Sequence, residues 1–154
     1  MGIIKKYTKD AFIAITSLGT AFFYSLIILF LLVSGQIKIA IHLIIGLFIC
    51  YLLVFILRLF YFKERPKKEE HYNLFTKINA SSFPSLHMMS SLYVATVLST
   101  HIKKPAVSVF LFLLSLLIGY SRMYLKKHYF IDVLFGFILG LVASFVYFFL
   151  INFS

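Results

Sequence analysis

The chain contains only three arginines, and each stands at or near the end of an apolar stretch. They are Arg58, Arg65 and Arg122, against twelve lysines. Arginine presents a planar fork of N–H donors that matches phosphate oxygens, whereas lysine offers a point charge. One arginine at a helix end could instead extend its charge to the membrane surface. Three of them together predict a phosphate pocket.

Arg58 and Arg65 are separated by six residues, so that they lie close to two helical turns apart. If the helix that contains Arg58 continues to Arg65, both guanidinium groups lie on one face. Pro66 would then help to end this helix.

His87 stands where the third apolar stretch begins. It follows Phe83-Pro84-Ser85-Leu86, in which proline suits the first turn of a helix and Ser85 lies near free amides that attract phosphate. From there His87 could donate a proton to a leaving oxygen. A lone histidine near a membrane surface is, however, often a hydrogen-bonded structural residue.

His128 is followed four residues later by Asp132, and on a helix these two side chains would share a face. A carboxylate bound to one ring nitrogen fixes the tautomer and leaves the other nitrogen basic, so His128 could act as a nucleophile or base. Asp132 is the only acid within an apolar stretch, and such an acid usually marks function. A structural ion pair with Lys127 or Arg122 is the alternative.

A metal site is another chemistry that these residues could serve, because His87, His128 and Asp132 could converge on an ion. The nearby arginines and lysines would repel a cation, however, and no further carboxylate stands close enough to complete the site. The sequence therefore favours a mechanism that uses no metal and no other cofactor.

The elements that must position these residues are predicted to be membrane-spanning helices. The chain has 154 residues, of which 62% are hydrophobic and only five are acidic, too few to cover a soluble domain. About 20 apolar residues cross a hydrocarbon core as a helix, and the apolar stretches run roughly over 11–35, 39–62, 83–102, 105–121 and 129–151. The prediction is one all-α domain over residues 1–154, a polytopic membrane bundle of about five transmembrane helices.

The first stretch follows three lysines, as a secretory signal would, but it is too long and lacks a small-residue cleavage site, so we expect it to be retained. Five spans place the N-terminus and the loops near 63–85 and 122–128 on one side of the membrane. Residues 35–38, 101–105 and the C-terminus lie on the other. The long polar loop is predicted to hold a short interfacial helix around Tyr72, Phe75 and Ile78.

The formal net charge of +10 could indicate nucleic acid. The basic residues lie in short loops between spans, however, and not on one face with interleaved aromatic residues, so no nucleic-acid partner is predicted. The single cysteine, Cys50, lies inside an apolar stretch and provides neither a disulfide framework nor a thiolate metal site. The predicted partners are membrane lipids and an anionic lipid substrate.

Three motifs stand in order between residues 58 and 132. They read Arg58-x6-Arg65-Pro66, then Pro84-Ser85-Leu86-His87, then Ser121-Arg122-x5-His128-x3-Asp132. They resemble the signature of the type 2 phosphatidic acid phosphatase family, which is Lys-x6-Arg-Pro, Pro-Ser-Gly-His and Ser-Arg-x5-His-x3-Asp. A three-part match with fixed internal spacing rarely arises by chance.

The resemblance implies a membrane enzyme that hydrolyses a lipid phosphate or diphosphate without metal, through a phosphohistidine intermediate. It implies that His128 attacks phosphorus, that Asp132 orients and charges it, and that His87 protonates the departing lipid oxygen. The phosphoryl oxygens would be held by Arg58, Arg65, Ser85 and Arg122.

Two positions depart from the family pattern. Arg58 replaces lysine and retains the positive charge. Leu86 replaces glycine and narrows the approach to the phosphate, and the Pro-Ser-Leu-His form also resembles transferases related to inositol phosphorylceramide synthases. A lipid phosphotransferase that uses the same site is therefore an alternative. A non-catalytic membrane lipid-binding protein is a further alternative, but the presence of both histidines and of Asp132 disfavours it.

The predicted location is the plasma (inner) membrane. Leaving out the motif arginines, the side with the motifs carries nine lysines and the opposite side three. The positive-inside rule would make the motif side cytoplasmic. The resemblance implies an extracytosolic site, and lysines could serve an anionic substrate instead of topology, so the extracytosolic face is the prediction adopted.

Overall fold

The computed structural model describes residues 2–152, with side chains described for residues 2–150. Over this range the chain is helical, without strands, which confirms the predicted all-α fold. The seven described helices are α1 (Gly2–Ser17), α2 (Ala21–Val33), α3 (Ile37–Phe60), α4 (Leu74–Ala80), α5 (Leu86–Ile102), α6 (Pro105–Tyr124) and α7 (Phe130–Asn152).

Three helices, α3, α6 and α7, are long and apolar enough to cross a membrane. The first predicted span is not one helix, because α1 and α2 meet at 49° across the break at residues 18–20. This bent pair counts as a fourth span if it crosses as one unit. Gly19 lies in the break, where a Cβ would stand 2.8 Å from Cγ2 of Ile118, so a larger residue could not pack there.

Helix α5 is the centre of the bundle and packs against α3, α6 and α7. It has 17 residues, fewer than the roughly 20 that span a bilayer core. Because protein surrounds α5, it can carry small polar residues whose hydroxyls bond within the helix. Ser90 donates to the carbonyl of Leu86 at 2.8 Å, and Ser91 donates to that of Met88 at 3.1 Å.

Helix α4 is the short helix predicted within the long polar loop. Asn73 caps it through the backbone N–H of Thr76 at 2.8 Å, and Thr76 bonds back to the N–H of Asn73. Phe75 is exposed, whereas Ile78 is buried against the bundle. The end of α4 therefore packs against the helix bundle shortly before α5 begins.

Helix α3 ends at Phe60, so the condition under which Arg58 and Arg65 would share one helical face is not met. Tyr61 is extended, and the chain beyond it pairs with the segment that follows α4. The backbone N–H of Ser82 donates to the carbonyl of Lys63 at 2.8 Å, and the N–H of Lys63 donates to Oγ of Ser81 at 3.3 Å. These bonds satisfy backbone groups that a longer helix would have used internally.

Two contacts, one at each end of the bundle, join segments that were predicted to lie on the same side. At one end, the backbone N–H of Lys67 donates to the carbonyl of Lys126 at 3.0 Å, which joins the two predicted loops of that side. At the other end, the rings of His42 and His101 lie 6.1 Å apart, which brings the start of α3 to the end of α5.

Candidate active site

The three predicted arginines lie at one end of the bundle and are held by backbone or side-chain oxygens. Nη2 of Arg58 donates to the carbonyl of Pro84 at 2.9 Å, and Nη2 of Arg65 donates to that of Asn79 at 2.5 Å. Arg122 bonds through Nη1 to Oγ1 of Thr16 at 3.1 Å. The guanidinium groups come from α3, the following loop and α6, so three elements converge although Arg65 is not helical.

Four buried polar atoms at this end have no hydrogen-bond partner among the residues that the structure describes. They are Nε of Arg58, Arg65 and Arg122 and Oγ of Ser85. A buried donor without a partner costs about 1–3 kcal/mol. Three cationic donors and a neutral hydroxyl that share this defect fit an anion, because a phosphate oxygen can accept from each of them.

Ser85 lies at the N-cap of α5, as predicted, while Pro84 precedes the cap and is not part of the first turn. The N–H of Ser85 donates to the carbonyl of Asp132 at 2.9 Å, and this fixes the start of α5 on the start of α7. At Gly136 of α7 a Cβ would stand 2.5 Å from the carbonyl oxygen of Ser85. This close approach requires glycine.

His128 lies in the loop between α6 and α7 and is buried, with 2% of its surface exposed. Its Nδ1 lies 2.5 Å from the carbonyl oxygen of Ser82. Because a carbonyl only accepts, Nδ1 carries the proton and Nε2 presents a lone pair. Burial lowers the pKa of His128 well below its usual value, and the three arginine charges lower it further against the opposing effect of the Ser82 carbonyl. The ring is therefore neutral at pH 7.

Asp132 does not make the predicted contact with the His128 ring. Its Oδ1 pairs with Nζ of Lys63 at 2.6 Å, and its Oδ2 accepts from the backbone N–H of Tyr129 at 2.8 Å. Since α7 begins at Phe130, His128 stands before the helix and the two side chains do not share a helical face. The ion-pair partner is also not one of the two cations expected from sequence.

His87 is half-buried in the first turn of α5, as predicted. Its Cδ2 lies near Gly19, where a Cβ would stand 3.1 Å away. The charges of all three arginines act on its ring as they act on His128, which places both histidines beside the same cationic cluster.

Sequence reasoning missed three groups in this region. The Ser82 carbonyl that binds His128 is a backbone group and leaves no signal in residue type. Lys63 lies inside the spacer of the first motif, where its charge looked like part of a basic loop. Glu69 pairs with both Arg65 and Lys127. Burial raises the pKa of Glu69, but the hydrogen bonds from these two cations outweigh it, so the pKa lies below its ordinary value.

The arrangement suits transfer of a phosphoryl group. Such a reaction needs a nucleophile, a proton donor for the leaving oxygen and fixed positive charge around the phosphoryl oxygens. A buried imidazole, a second histidine and three arginines are groups of the kinds that such a reaction uses. Among the described residues, no group of three histidine, cysteine, aspartate or glutamate side chains is placed to hold a metal ion.

Comparisons with known proteins return one family model and two similar solved structures. A family model described as the PAP2 superfamily matches residues 39–153. LpxE of Aquifex aeolicus is 28% identical, with a TM-score of 0.76, over 92% of this chain and 86% of that one. A transmembrane PAP2 type phosphatidylglycerolphosphate phosphatase of Bacillus subtilis is 25% identical, with a TM-score of 0.77, over 95% of this chain and 77% of that one. The comparison with curated proteins gives no match.

Proposed function

Because this chain belongs to the PAP2 superfamily, we propose that it is an integral membrane phosphohydrolase of a lipid phosphate or diphosphate that works through a phosphohistidine. The observation that carries the proposal is the cluster of buried, partnerless donors on Arg58, Arg65, Arg122 and Ser85 beside a neutral His128. One of the similar structures is a phosphatidylglycerolphosphate phosphatase, which acts on a lipid of this class.

In the first step the phosphate enters the arginine cluster, where its oxygens accept from the four unpaired groups. Nε2 of His128 then attacks phosphorus, and the bond from phosphorus to the lipid oxygen breaks. The negative charge of the bound phosphate offsets the arginine charges, so that His87 carries a proton in the complex. His87 gives this proton to the departing oxygen, and the lipid leaves as a neutral alcohol. The Ser82 carbonyl, which accepts from Nδ1, stabilises the positive charge that the ring of His128 acquires.

In the second step water attacks phosphorus on the opposite side from His128. His87, now neutral, takes a proton from the water, and the bond between phosphorus and Nε2 breaks. Inorganic phosphate leaves, and both histidines return to their starting protonation states. Asp132 contributes by holding the loop that carries His128, through its bonds to Lys63 and to the N–H of Tyr129.

A cavity of about 270 Å³ beside Arg58 supports a lipid substrate. Apart from Arg58 and Asn79 its walls are apolar or aromatic, and they include Phe48, Tyr51, Leu52, Phe55 and Leu86. A guanidinium at one end of an apolar cavity suits a molecule whose phosphate is attached to a hydrocarbon chain.

The test is phosphate release from a panel of lipid phosphates by the purified chain in detergent, without any added acceptor and with EDTA present. We expect release from at least one lipid phosphate at a rate that chelation does not change, because the arginines supply the positive charge. Loss of turnover in EDTA, restored by a divalent ion, would contradict the metal-free mechanism. Turnover only when an acceptor lipid is added would indicate the phosphotransferase that Leu86 leaves as the second candidate.

We further propose that the site faces the extracytosolic side of the plasma membrane. A cysteine placed at position 71, in the exposed loop near Arg65, would report the side if Cys50 is replaced by serine. Cys50 is itself fully buried, so little background labelling is expected from it. Labelling by a membrane-impermeant reagent in intact cells supports the proposal, and protection until the cells are opened places the site in the cytoplasm.

A further inference from the structure

Lys63 lies within the six-residue spacer of the first motif, at a position to which the motif itself assigns no residue type. Its side chain and its backbone each contact a group that positions His128. We propose that Lys63 is a positioning residue that fixes the nucleophile through Asp132 and Ser82. The inference rests on the proposed function and adds a residue to its machinery.

The side chain of Lys63 neutralises the buried carboxylate of Asp132. Asp132 has no exposed surface, and its Oδ1 lies 2.6 Å from Nζ of Lys63. A carboxylate taken out of water needs both a countercharge and hydrogen bonds. Lys63 supplies the charge, and the N–H of Tyr129 supplies a hydrogen bond, so the side chain of Asp132 holds the turn that follows His128.

The backbone of Lys63 places the group that orients the imidazole. Its carbonyl accepts from the N–H of Ser82 at 2.8 Å, and the carbonyl of the same serine faces Nδ1 of His128 at 2.5 Å. The carbonyl of Asp132 in turn accepts from the N–H of Ser85. One lysine therefore joins the segments that contain all three motifs.

Lys63 is not arranged as a phosphate ligand itself. Its ammonium is committed to Asp132 and stands 4.8 Å from the centre of the Tyr129 ring, which adds a cation–π contact. The arginines, in contrast, keep buried nitrogens without partners. A change at Lys63 should therefore reduce kcat through misplacement of His128 and leave KM nearly unchanged.

The experiment compares five variants of the full chain in detergent by kcat, KM and thermal unfolding. These are Lys63→Gln, Lys63→Arg, Asp132→Asn, the double variant Lys63→Gln/Asp132→Asn and the matched control Lys68→Gln. Lys68 also pairs with a carboxylate, that of Glu64 at 3.2 Å, but on the exposed surface of the same loop. The control therefore removes the same charge without touching the site.

We expect Lys63→Gln to lower kcat by about 30-fold or more with KM within about threefold of wild type. Lys63→Arg should retain kcat within about fivefold, because it preserves the ion pair. In the double variant, kcat should lie within about threefold of the Asp132→Asn value, since two residues that act through one contact are not additive. Lys68→Gln should match wild type.

Three outcomes would overturn the inference while the enzyme itself remains active. One is a kcat for Lys63→Gln equal to that of Lys68→Gln. Another is a large rise of KM at unchanged kcat, which would make Lys63 a phosphate ligand. The third is multiplication of the two single losses in the double variant. An inactive wild type would instead refute the proposed function.

Folding failure does not prevent a decision. If Lys63→Gln shows no cooperative unfolding, the double variant decides, because it leaves no unpaired buried carboxylate. A folded double variant with kcat near the Asp132→Asn value supports the inference, and one with a much lower kcat contradicts it. If Lys63→Gln and the double variant both fail to fold, the Lys63→Arg variant decides. A wild-type KM with kcat within about fivefold of wild type supports a positioning role. A KM raised about tenfold at unchanged kcat contradicts that role.

Discussion

Each end of the helix bundle contains two buried or half-buried histidines among other polar groups, but the ends differ in how those groups are satisfied. At the end away from the motifs, the hydroxyl of Tyr147 lies 3.1 Å from Nε2 of His101 and 3.4 Å from Nδ1 of His42. Tyr93 donates to the carbonyl of His42 at 2.9 Å. These groups bond to one another, so they need no ligand.

At the end with the motifs, buried atoms of three arginines and one serine have no partner among the described residues. Such groups reduce stability and are retained where a ligand completes them. The comparison teaches that a histidine cluster does not by itself mark a site in this protein. What distinguishes the end with the motifs is a set of buried donors, three of them cationic, that no described residue satisfies.

The largest effect should separate the histidines of the two ends. His128→Ala removes the nucleophile, so no phosphohistidine can form, and we expect phosphate release to fall by about 10³-fold or more on every substrate. His42→Ala, the same change at the other end, should keep activity within about threefold. Equal losses in the two variants would mean that both ends act through stability alone.

The next effect concerns the shape of a cation. Arg122→Lys conserves the charge but loses the planar fork, and we expect kcat/KM to fall by about 10²-fold. Lys38→Arg, a change in the reverse direction at the other end, should leave the rate unchanged. A rate near wild type for Arg122→Lys would show that Arg122 only extends its charge to the membrane surface.

His87→Ala should give an effect that depends on the leaving group. On a lipid phosphate, whose alkoxide leaves poorly without a proton, kcat should fall by about 10²-fold or more. On an aryl phosphate accepted by the wild type, whose leaving group needs no proton, the loss should stay within about tenfold. If His128→Ala instead retains aryl phosphatase activity while His87→Ala has none on either substrate, the two roles must be exchanged.

The three motifs predicted the family better than they predicted the contacts of the residues within them. Motif spacing indicated the PAP2 superfamily, and the family comparison confirms this. The same spacing would have put Arg58 and Arg65 on one helical face only if α3 continued to Arg65, and α3 ends at Phe60. The expected contact of Asp132 with the ring of His128 was wrong. Helical periodicity applies only within a helix, and Arg65 and His128 lie in loops whose paths are set by hydrogen bonds to distant backbone.

Hydropathy predicted the membrane class and the all-α fold but was less accurate for individual spans. It identified α3, α6 and α7, whose apolar side chains are exposed along much of their length. The bend at residues 18–20 could not be foreseen, because it depends on the packing of Gly19 against α6. Helix α5 is short and central, and it is surrounded by other helices. At such a position the hydrophobic composition of a segment does not predict the length of the helix.

The smallest expected effects distinguish the two ends of the bundle most clearly. A change at the end away from the motifs should alter stability but not activity, and a change at the end with the motifs should alter activity but not stability. Tyr147→Phe removes a hydroxyl that bonds to both histidines, so the melting temperature in detergent should fall by about 2–4 °C while kcat stays near wild type. Ser85→Ala removes a buried hydroxyl that has no partner, so the melting temperature should stay the same or rise while kcat falls by about tenfold. Thermal unfolding and phosphate release on the same preparations measure both quantities. If Ser85→Ala destabilises the protein as Tyr147→Phe does, the Ser85 hydroxyl has a structural partner, and unpaired donors no longer identify the active end.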